Sequence, residues 1–145
     1  MKLYIGADHA GFTTKEYIKR QLEKLQYEVI DVGTKDTQSV NYPTYAKKVA
    51  QHVHKHNALG ILICGTGIGM SIAANKIKGI RAAHPADTYE AKLAREHNHA
   101  NIITIRGRRN SNAQAWSLVH AFIQAQPDND ARHKKRLAQI SRMEQ

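Results

Sequence analysis

A short segment of the sequence, residues 60–76, places a cysteine between an apolar run and a glycine-rich loop. The apolar run at 61–63 has the length of a buried strand, and a segment of helical character follows the loop. The positive potential at a helix N-terminus favours a thiolate, so Cys64 is a candidate base or nucleophile near neutral pH. The alternative interpretation is that a lone cysteine at the end of an apolar strand is simply a small buried hydrophobic residue.

The loop after Cys64 contains glycines at alternate positions, and its pattern excludes two nucleotide-binding motifs. Met70 stands where a dinucleotide-binding fingerprint requires its third glycine, and no Gly-Lys-Ser/Thr follows, as the phosphate loop of an NTPase requires. In an open α/β sheet, the N-terminus of the helix that follows a strand favours anions. The loop is therefore predicted to hold an anion or a developing oxyanion. Its glycines are Gly65, Gly67 and Gly69.

A second pair of polar residues, Asp8 and His9, follows a strand predicted at residues 2–7. Since Cys64 also follows a strand, these side chains are candidates for the same site. Asp8 has an alternative interpretation as the cap of the next helix. Tyr42, at the end of a polar loop, is either a substrate contact or a packing residue.

His97 is a candidate general acid because it lies at the C-terminus of a helix predicted at residues 87–96. The helix dipole favours a protonated imidazole at that position. The alternative is a cap or a surface residue, the more common role of a lone histidine at a helix end.

The composition limits the class of protein. The chain has 145 residues, a formal net charge of +10 and a single cysteine. This length suits one domain, and one cysteine cannot form an internal disulfide. We find neither a signal-like N-terminus nor an apolar stretch long enough to cross a membrane, and we expect a soluble cytoplasmic protein.

The positive charge does not by itself indicate a nucleic-acid partner. Basic residues cluster at 106–109 and at 132–136, but no aromatic residues alternate with them and no nucleic-acid-binding motif accompanies them. We expect no dedicated nucleic-acid binding, and small anions such as sugar phosphates would be attracted by the same field. We interpret His52, His54 and His56 as solvated surface residues and expect no metal site there.

Strand and helix signals alternate along the chain and predict a three-layer α/β/α, Rossmann-like domain with a five-stranded parallel sheet. The domain body is expected at residues 1–127, and residues 128–145 are expected to form an extra C-terminal helix of the same domain. That helix is too polar to be held by its own apolar face, so we expect it to dock on a partner subunit. Arg132 and Arg136 are one turn apart on it, a spacing suited to a phosphate. The predicted strands lie at 2–7, 27–32, 61–63, 80–83 and 102–105.

Five motifs in the same order resemble type B ribose-5-phosphate isomerases and their relatives, the galactose-6-phosphate and allose-6-phosphate isomerases. The resemblance covers essentially the whole chain. The motifs are residues 6–11, residues 41–46, residues 64–76, His97-Asn98 with Ala100-Asn101, and Arg132-His133 with Arg136.

The resemblance implies an enzyme that interconverts the aldose and ketose forms of a phosphorylated sugar without a metal or an organic cofactor. It also implies a homodimer or a tetramer with active sites between subunits. Ribose 5-phosphate and ribulose 5-phosphate are the expected pair. The alternatives are a six-carbon sugar phosphate, such as galactose 6-phosphate or allose 6-phosphate, and a noncatalytic phosphosugar-binding subunit.

The resemblance further implies catalytic roles for individual residues. Cys64 would move a proton between C1 and C2 of the sugar, and Thr66 would orient or stabilise the intermediate. His97, together with Asp8 or His9, would assist ring opening.

The substrate-binding roles follow from the same resemblance. The N–H groups of the loop from Gly65 to Ser71 would stabilise the negative oxygen of an enediolate. Asn98 would hold sugar hydroxyls. The implied phosphate-binding residues are His9, Arg108, Arg132 and Arg136, the last two reaching across from a partner subunit.

Overall fold

The computed structural model describes residues 2–144 as a parallel sheet with helices on both faces. Its five strands follow the spatial order β2-β1-β3-β5-β4. The strands are β1 Lys2–Ala7, β2 Glu28–Asp31, β3 Leu59–Cys64, β4 Ala82–Ala83 and β5 Ile102–Arg106. The helices are α1 Phe12–Lys24, α2 Tyr42–His56, α3 Ile68–Ala74, α4 Thr88–Glu96, α5 Asn112–Gln124 and α6 Ala131–Arg142.

Successive residues of the central strands face two different apolar layers, because side chains alternate across a sheet. Leu3 packs in the layer that contains Phe122 of α5, together with residues of α1 and α4. Its neighbour Tyr4 packs in the opposite layer, which contains Val49 of α2 and Met70 of α3. The predicted three-layer architecture with a five-stranded parallel sheet is confirmed.

The parallel strands give the sheet two different edges, which we call the carboxyl edge and the amino edge. Cys64 pairs with Arg106 at the carboxyl edge. At the amino edge, the N–H of Gly60 donates to the carbonyl of Asn101 (2.8 Å). With a rise of about 3.3 Å per residue, the edges are separated by roughly 13 Å along β3. Residues that follow strands therefore lie at one edge, and residues that follow the returning helices lie at the other.

The fourth strand is shorter than the predicted segment 80–83 and contains only Ala82–Ala83. The N–H of Ile80 donates to the carbonyl of Ile77 (3.1 Å). The N–H of Arg81 donates to the side-chain oxygen of Asn101 (2.9 Å). Both donors are used outside the ladder, the first by a local turn and the second by the Asn101 side chain, so the ladder begins only at Ala82.

The assignment of His52 to the solvated surface, made from the sequence, is wrong. His52 is half-buried rather than solvated, and its ring stacks on Tyr4 with centroids 4.9 Å apart. His56, four residues further along α2, stacks on His52 at 6.0 Å. Because residues four apart share a helix face, these two rings do face each other.

The C-terminal helix α6 lies along the amino edge. The N–H of Asp128, just before it, donates to the carbonyl of Glu96 at the end of α4 (2.9 Å). At its other end, the carboxylate of Glu144 accepts the N–H of Gly79 (2.9 Å). Within α6, which is described throughout, His133 alone is buried. Its docking on a partner subunit stays a prediction. Between residues 2 and 144, no helix has the length and apolar character needed to cross a bilayer.

Candidate functional site

Five residues gather at the carboxyl edge and form what we call the strand-end cluster: Asp8, Cys64, Thr66, Gly67 and Arg108. Backbone hydrogen bonds hold the loops after β1, β3 and β5 against one another. The N–H of Asp8 donates to the carbonyl of Ile63 (3.2 Å), and the N–H of Arg108 donates to the carbonyl of Gly65 (3.1 Å). The cluster therefore has a rigid backbone support drawn from the three central strands.

Cys64 ends β3 and is only 5% exposed. Its sulfur is nevertheless not a purely apolar group, because it accepts a hydrogen bond from the N–H of Gly67 (3.1 Å). Gly67 reaches this position with a φ of 77°, a left-handed conformation that glycine adopts readily. The glycine loop thus wraps around the sulfur and presents a backbone donor to it.

His84 packs against the glycine loop. Its ring lies against Gly67, and its Nδ1 lies 3.0 Å from the hydroxyl of Thr104 on β5. Burial lowers the pKa of His84, and the nearby Arg106 guanidinium lowers it further against the opposing effect of the Thr104 carbonyl. The imidazole is therefore held in its neutral form beside the loop.

Replacement of Gly67 with alanine is expected to damage both stability and activity. A Cβ at this position would overlap the His84 ring and would occupy a left-handed conformation, which costs non-glycine residues about 1–3 kcal/mol. Thermal unfolding should show the loss of stability. Gly65→Ala is the matched control, since its nearest neighbour would be an ordinary contact with Arg108 at 3.4 Å. Equal melting temperatures for the two variants would contradict this description of the loop.

Asp8 and His9 organise the loop after β1. Asp8 is 6% exposed, and its Oδ1 accepts the N–H groups of Ala10 (3.0 Å) and Gly11 (3.1 Å). The interpretation of Asp8 as the cap of α1 is wrong, because the N-cap of that helix is Gly11. His9 Nδ1 accepts the N–H of Val40 (3.2 Å), which ties this loop to the loop before α2.

Other residues predicted to act in catalysis or to bind substrate also lie around the glycine loop. The ring of Tyr42 packs on Gly69 and is 39% exposed, so it is available for packing and for substrate contact. The hydroxyl oxygen of Thr66 accepts the N–H of Ile68 (3.3 Å). The hydroxyl of Ser71 donates to the carbonyl of Ala82 (3.4 Å) and is directed toward β4. The Arg108 side chain runs over Gly65.

A second group lies at the amino edge, and we call it the helix-end cluster: His97, Asn98, Asp128, Arg132, His133 and Arg136. His97 is the C-cap residue of α4, as predicted. Its ring lies 4.2 Å from that of His133, between centroids. Asn98, Arg132 and Arg136 are exposed.

Asp128 connects the histidines of the helix-end cluster. Its Oδ2 lies 2.7 Å from His133 Nδ1 and 4.0 Å from His97 Nε2. Its backbone carbonyl lies 3.0 Å from His99 Nε2. Desolvation alone would raise the pKa of Asp128, but the hydrogen bonds from His133 and from the N–H of Asp130 outweigh it and lower the pKa. Asp128 is therefore ionised at neutral pH.

The structure thus divides the predicted site residues between two edges of one chain. Asp8, His9, Tyr42, Cys64 and Arg108 belong to the loops of the carboxyl edge. His97 and Asn98 belong with the two arginines of α6 at the amino edge. His97, predicted to assist ring opening, therefore lies at the opposite edge of the sheet from Cys64 of the same chain.

Sequence reasoning missed the roles of His84, Asp128 and His133. His133 stands inside the motif 132–136, so its neighbours were a usable signal. The sequence around Asp128 and around His84 contains no such signal, because each residue acquires its contacts only when distant segments pack together.

A cavity of about 780 Å³ lies between the end of α3, β4 and α6. Asn98 lines it, whereas Cys64 does not. This cavity therefore does not coincide with the strand-end cluster.

Comparison with known proteins identifies the class. A family model described as Ribose/Galactose Isomerase matches residues 3–140. The ribose-5-phosphate isomerase B of Escherichia coli is 41% identical over 99% of this chain and 97% of its own length. These matches, with the parallel sheet and its strand-end cysteine, define an aldose–ketose isomerase of sugar phosphates. The expectation of an enzyme of this type is confirmed.

Solved structures agree with the sequence comparison. A ribose-5-phosphate isomerase B of Clostridium thermocellum superposes with a TM-score of 0.96 and 43% identity, covering 99% of this chain and 97% of that one. The Mycoplasma genitalium enzyme, solved with bound ribulose 5-phosphate, superposes with a TM-score of 0.93 and 37% identity, covering 99% and 95%. This chain belongs to the ribose/galactose isomerase family.

Proposed function

We propose that the chain interconverts ribose 5-phosphate and ribulose 5-phosphate, with Cys64 as the base. The observation that carries this proposal is the position of the sulfur, at the carboxyl end of a central strand and 3.1 Å from the N–H of Gly67. A backbone donor at that distance suits a sulfur that gains and loses a proton. The names of the Escherichia coli and Mycoplasma genitalium relatives support the choice of sugar.

In the proposed reaction the Cys64 thiolate removes the proton from C2 of the open-chain aldose. The electron pair of that C–H bond forms the C1–C2 double bond, and the carbonyl oxygen on C1 becomes negative. The thiol then returns its proton to C1, while the C2 hydroxyl loses its proton to the oxygen on C1 and becomes the ketose carbonyl. The thiolate is regenerated, and atoms and charge balance over the cycle.

The glycine loop is suited to stabilise the negative oxygen of the enediolate. The N–H of Gly67 is used by the sulfur, and that of Ile68 by the hydroxyl of Thr66. Gly69 and Met70 stand in the first turn of α3, where N–H groups have no acceptor within the helix. We assign the oxyanion to these two donors, each of which typically contributes a few kcal/mol in such sites.

Ring opening and phosphate binding require residues from both edges of the sheet. Asp8 and His9 lie on the same edge as Cys64, but His97 and the arginines of α6 lie at the amino edge, and the two edges are roughly 13 Å apart along β3. A second copy of the chain can bring its helix-end cluster to the strand-end cluster of the first. We therefore propose that each active site contains Cys64 from one chain and His97, Arg132 and Arg136 from another.

The substrate assignment is tested by offering the purified enzyme five- and six-carbon aldose phosphates and identifying the ketose products by NMR. We expect ribose 5-phosphate to give the highest kcat/KM, by about tenfold or more, since one added carbon must be accommodated in the same pocket. Faster conversion of galactose 6-phosphate or allose 6-phosphate would contradict the choice of sugar while leaving the isomerase class intact.

A further inference from the structure

We propose that the helix-end cluster contains an inhibitory binding site for a divalent transition metal, with Zn²⁺ as the best-fitting ion. The ligands are His97 Nε2, His133 Nδ1 and Asp128 Oδ2. One ligand atom from each of the three residues lies within 4.8 Å of the other two. The binding site is independent of the proposed substrate, whereas the inhibition rests on the proposed role of His97.

The distances suit a tetrahedral ion. Bonds of about 2.0–2.1 Å place neighbouring donors about 3.3 Å apart around zinc. The observed separations from Asp128 Oδ2 are 2.7 Å to His133 Nδ1 and 4.0 Å to His97 Nε2. They lie on either side of the required value, so changes of about 0.6–0.7 Å in these two distances bring both histidine nitrogens to tetrahedral spacing from the carboxylate oxygen.

The carboxylate is already oriented for this task. Asp128 Oδ1 accepts the N–H of Asp130 (3.2 Å), which leaves Oδ2 directed at the two imidazoles. The main chain of Asp128 is held by Glu96 and by His99. Contacts of this kind fix a metal ligand in place and raise the affinity of a site.

The ligand types determine the class of ion. Two imidazoles and one carboxylate suit zinc and its neighbours among the late first-row metals, whereas Mg²⁺ and Ca²⁺ prefer sets made only of oxygen. The side chain of His97 is 40% exposed, which leaves room for water as the fourth ligand. An ion bound here would occupy the nitrogen that His97 needs for ring opening.

Calorimetric titration of tag-free, chelator-treated protein with Zn²⁺ tests the site directly. We expect one ion per chain, and Asp128→Asn and His133→Gln should each weaken binding at least about tenfold. His120→Gln is the control, because His120 packs on Trp116 in α5, away from the cluster. Cys64→Ala should bind as wild type does. Unchanged affinity in Asp128→Asn and His133→Gln, or loss of binding in Cys64→Ala, would overturn the site.

Inhibition is measured separately in the isomerase assay. Zn²⁺ should lower the rate reversibly, with recovery on addition of a chelator, and Asp128→Asn should need at least about tenfold more Zn²⁺ for the same fractional effect. Binding without inhibition would overturn the inhibitory role. Because the titration uses no substrate, an error in the proposed reaction would leave the binding result unaffected.

Discussion

Replacing Cys64 with alanine is expected to lower kcat by about 10²–10⁴-fold, the range that a positioned acid or base contributes. The reaction requires removal of a proton from carbon, and at the carboxyl edge the sulfur stands beside the loop that would stabilise the resulting oxyanion. Binding of the sugar phosphate should persist, since the proposed phosphate and hydroxyl contacts come from other residues. Turnover and calorimetric affinity, measured on the same preparation, separate the two effects.

Cys64→Ser is the matched variant for this experiment. Serine keeps the size of the side chain and can accept the N–H of Gly67, but its hydroxyl is a far weaker acid than a thiol and supplies almost no anion at neutral pH. We expect it to be nearly as inactive as Cys64→Ala, with an unchanged melting temperature. Substantial turnover in either variant would show that another group removes the proton.

The layered fold was predictable because its signals are local. Apolar runs of strand length alternate with amphipathic helical segments, and parallel strands connected by helices allow few arrangements. The errors occur where a tertiary contact overrides the pattern. The side-chain oxygen of Asn101 accepts the N–H of Arg81, which shortens β4. Stacking on the ring of Tyr4 partly buries His52.

The strand-end cluster was predictable for a similar reason, since a cysteine and alternating glycines directly after an apolar run lie together in sequence. The position of His97 follows from topology, because a residue that ends a returning helix must lie at the amino edge. The role of Asp128 was not predictable, because no pattern in the adjacent sequence indicates contacts with residues 96, 97 and 99. Its role depends on where α6 packs.

His97→Ala is expected to lower kcat by about 10²-fold or more, because ring opening would lose its acid. Its effect should resemble that of Cys64→Ala, although the two residues lie at opposite edges of one chain. If each active site combines Cys64 of one copy with His97 of another, the two inactive variants carry complementary defects.

Mixing the two variants tests the shared site most directly. Cys64→Ala and His97→Ala chains are unfolded together in equal amounts and refolded, with each variant refolded alone as the control. In a two-fold symmetric dimer, half of the dimers are mixed and each mixed dimer has one intact site, so activity should recover to about a quarter of that of wild type. Activity no higher than that of the separate variants would contradict an active site built from two chains.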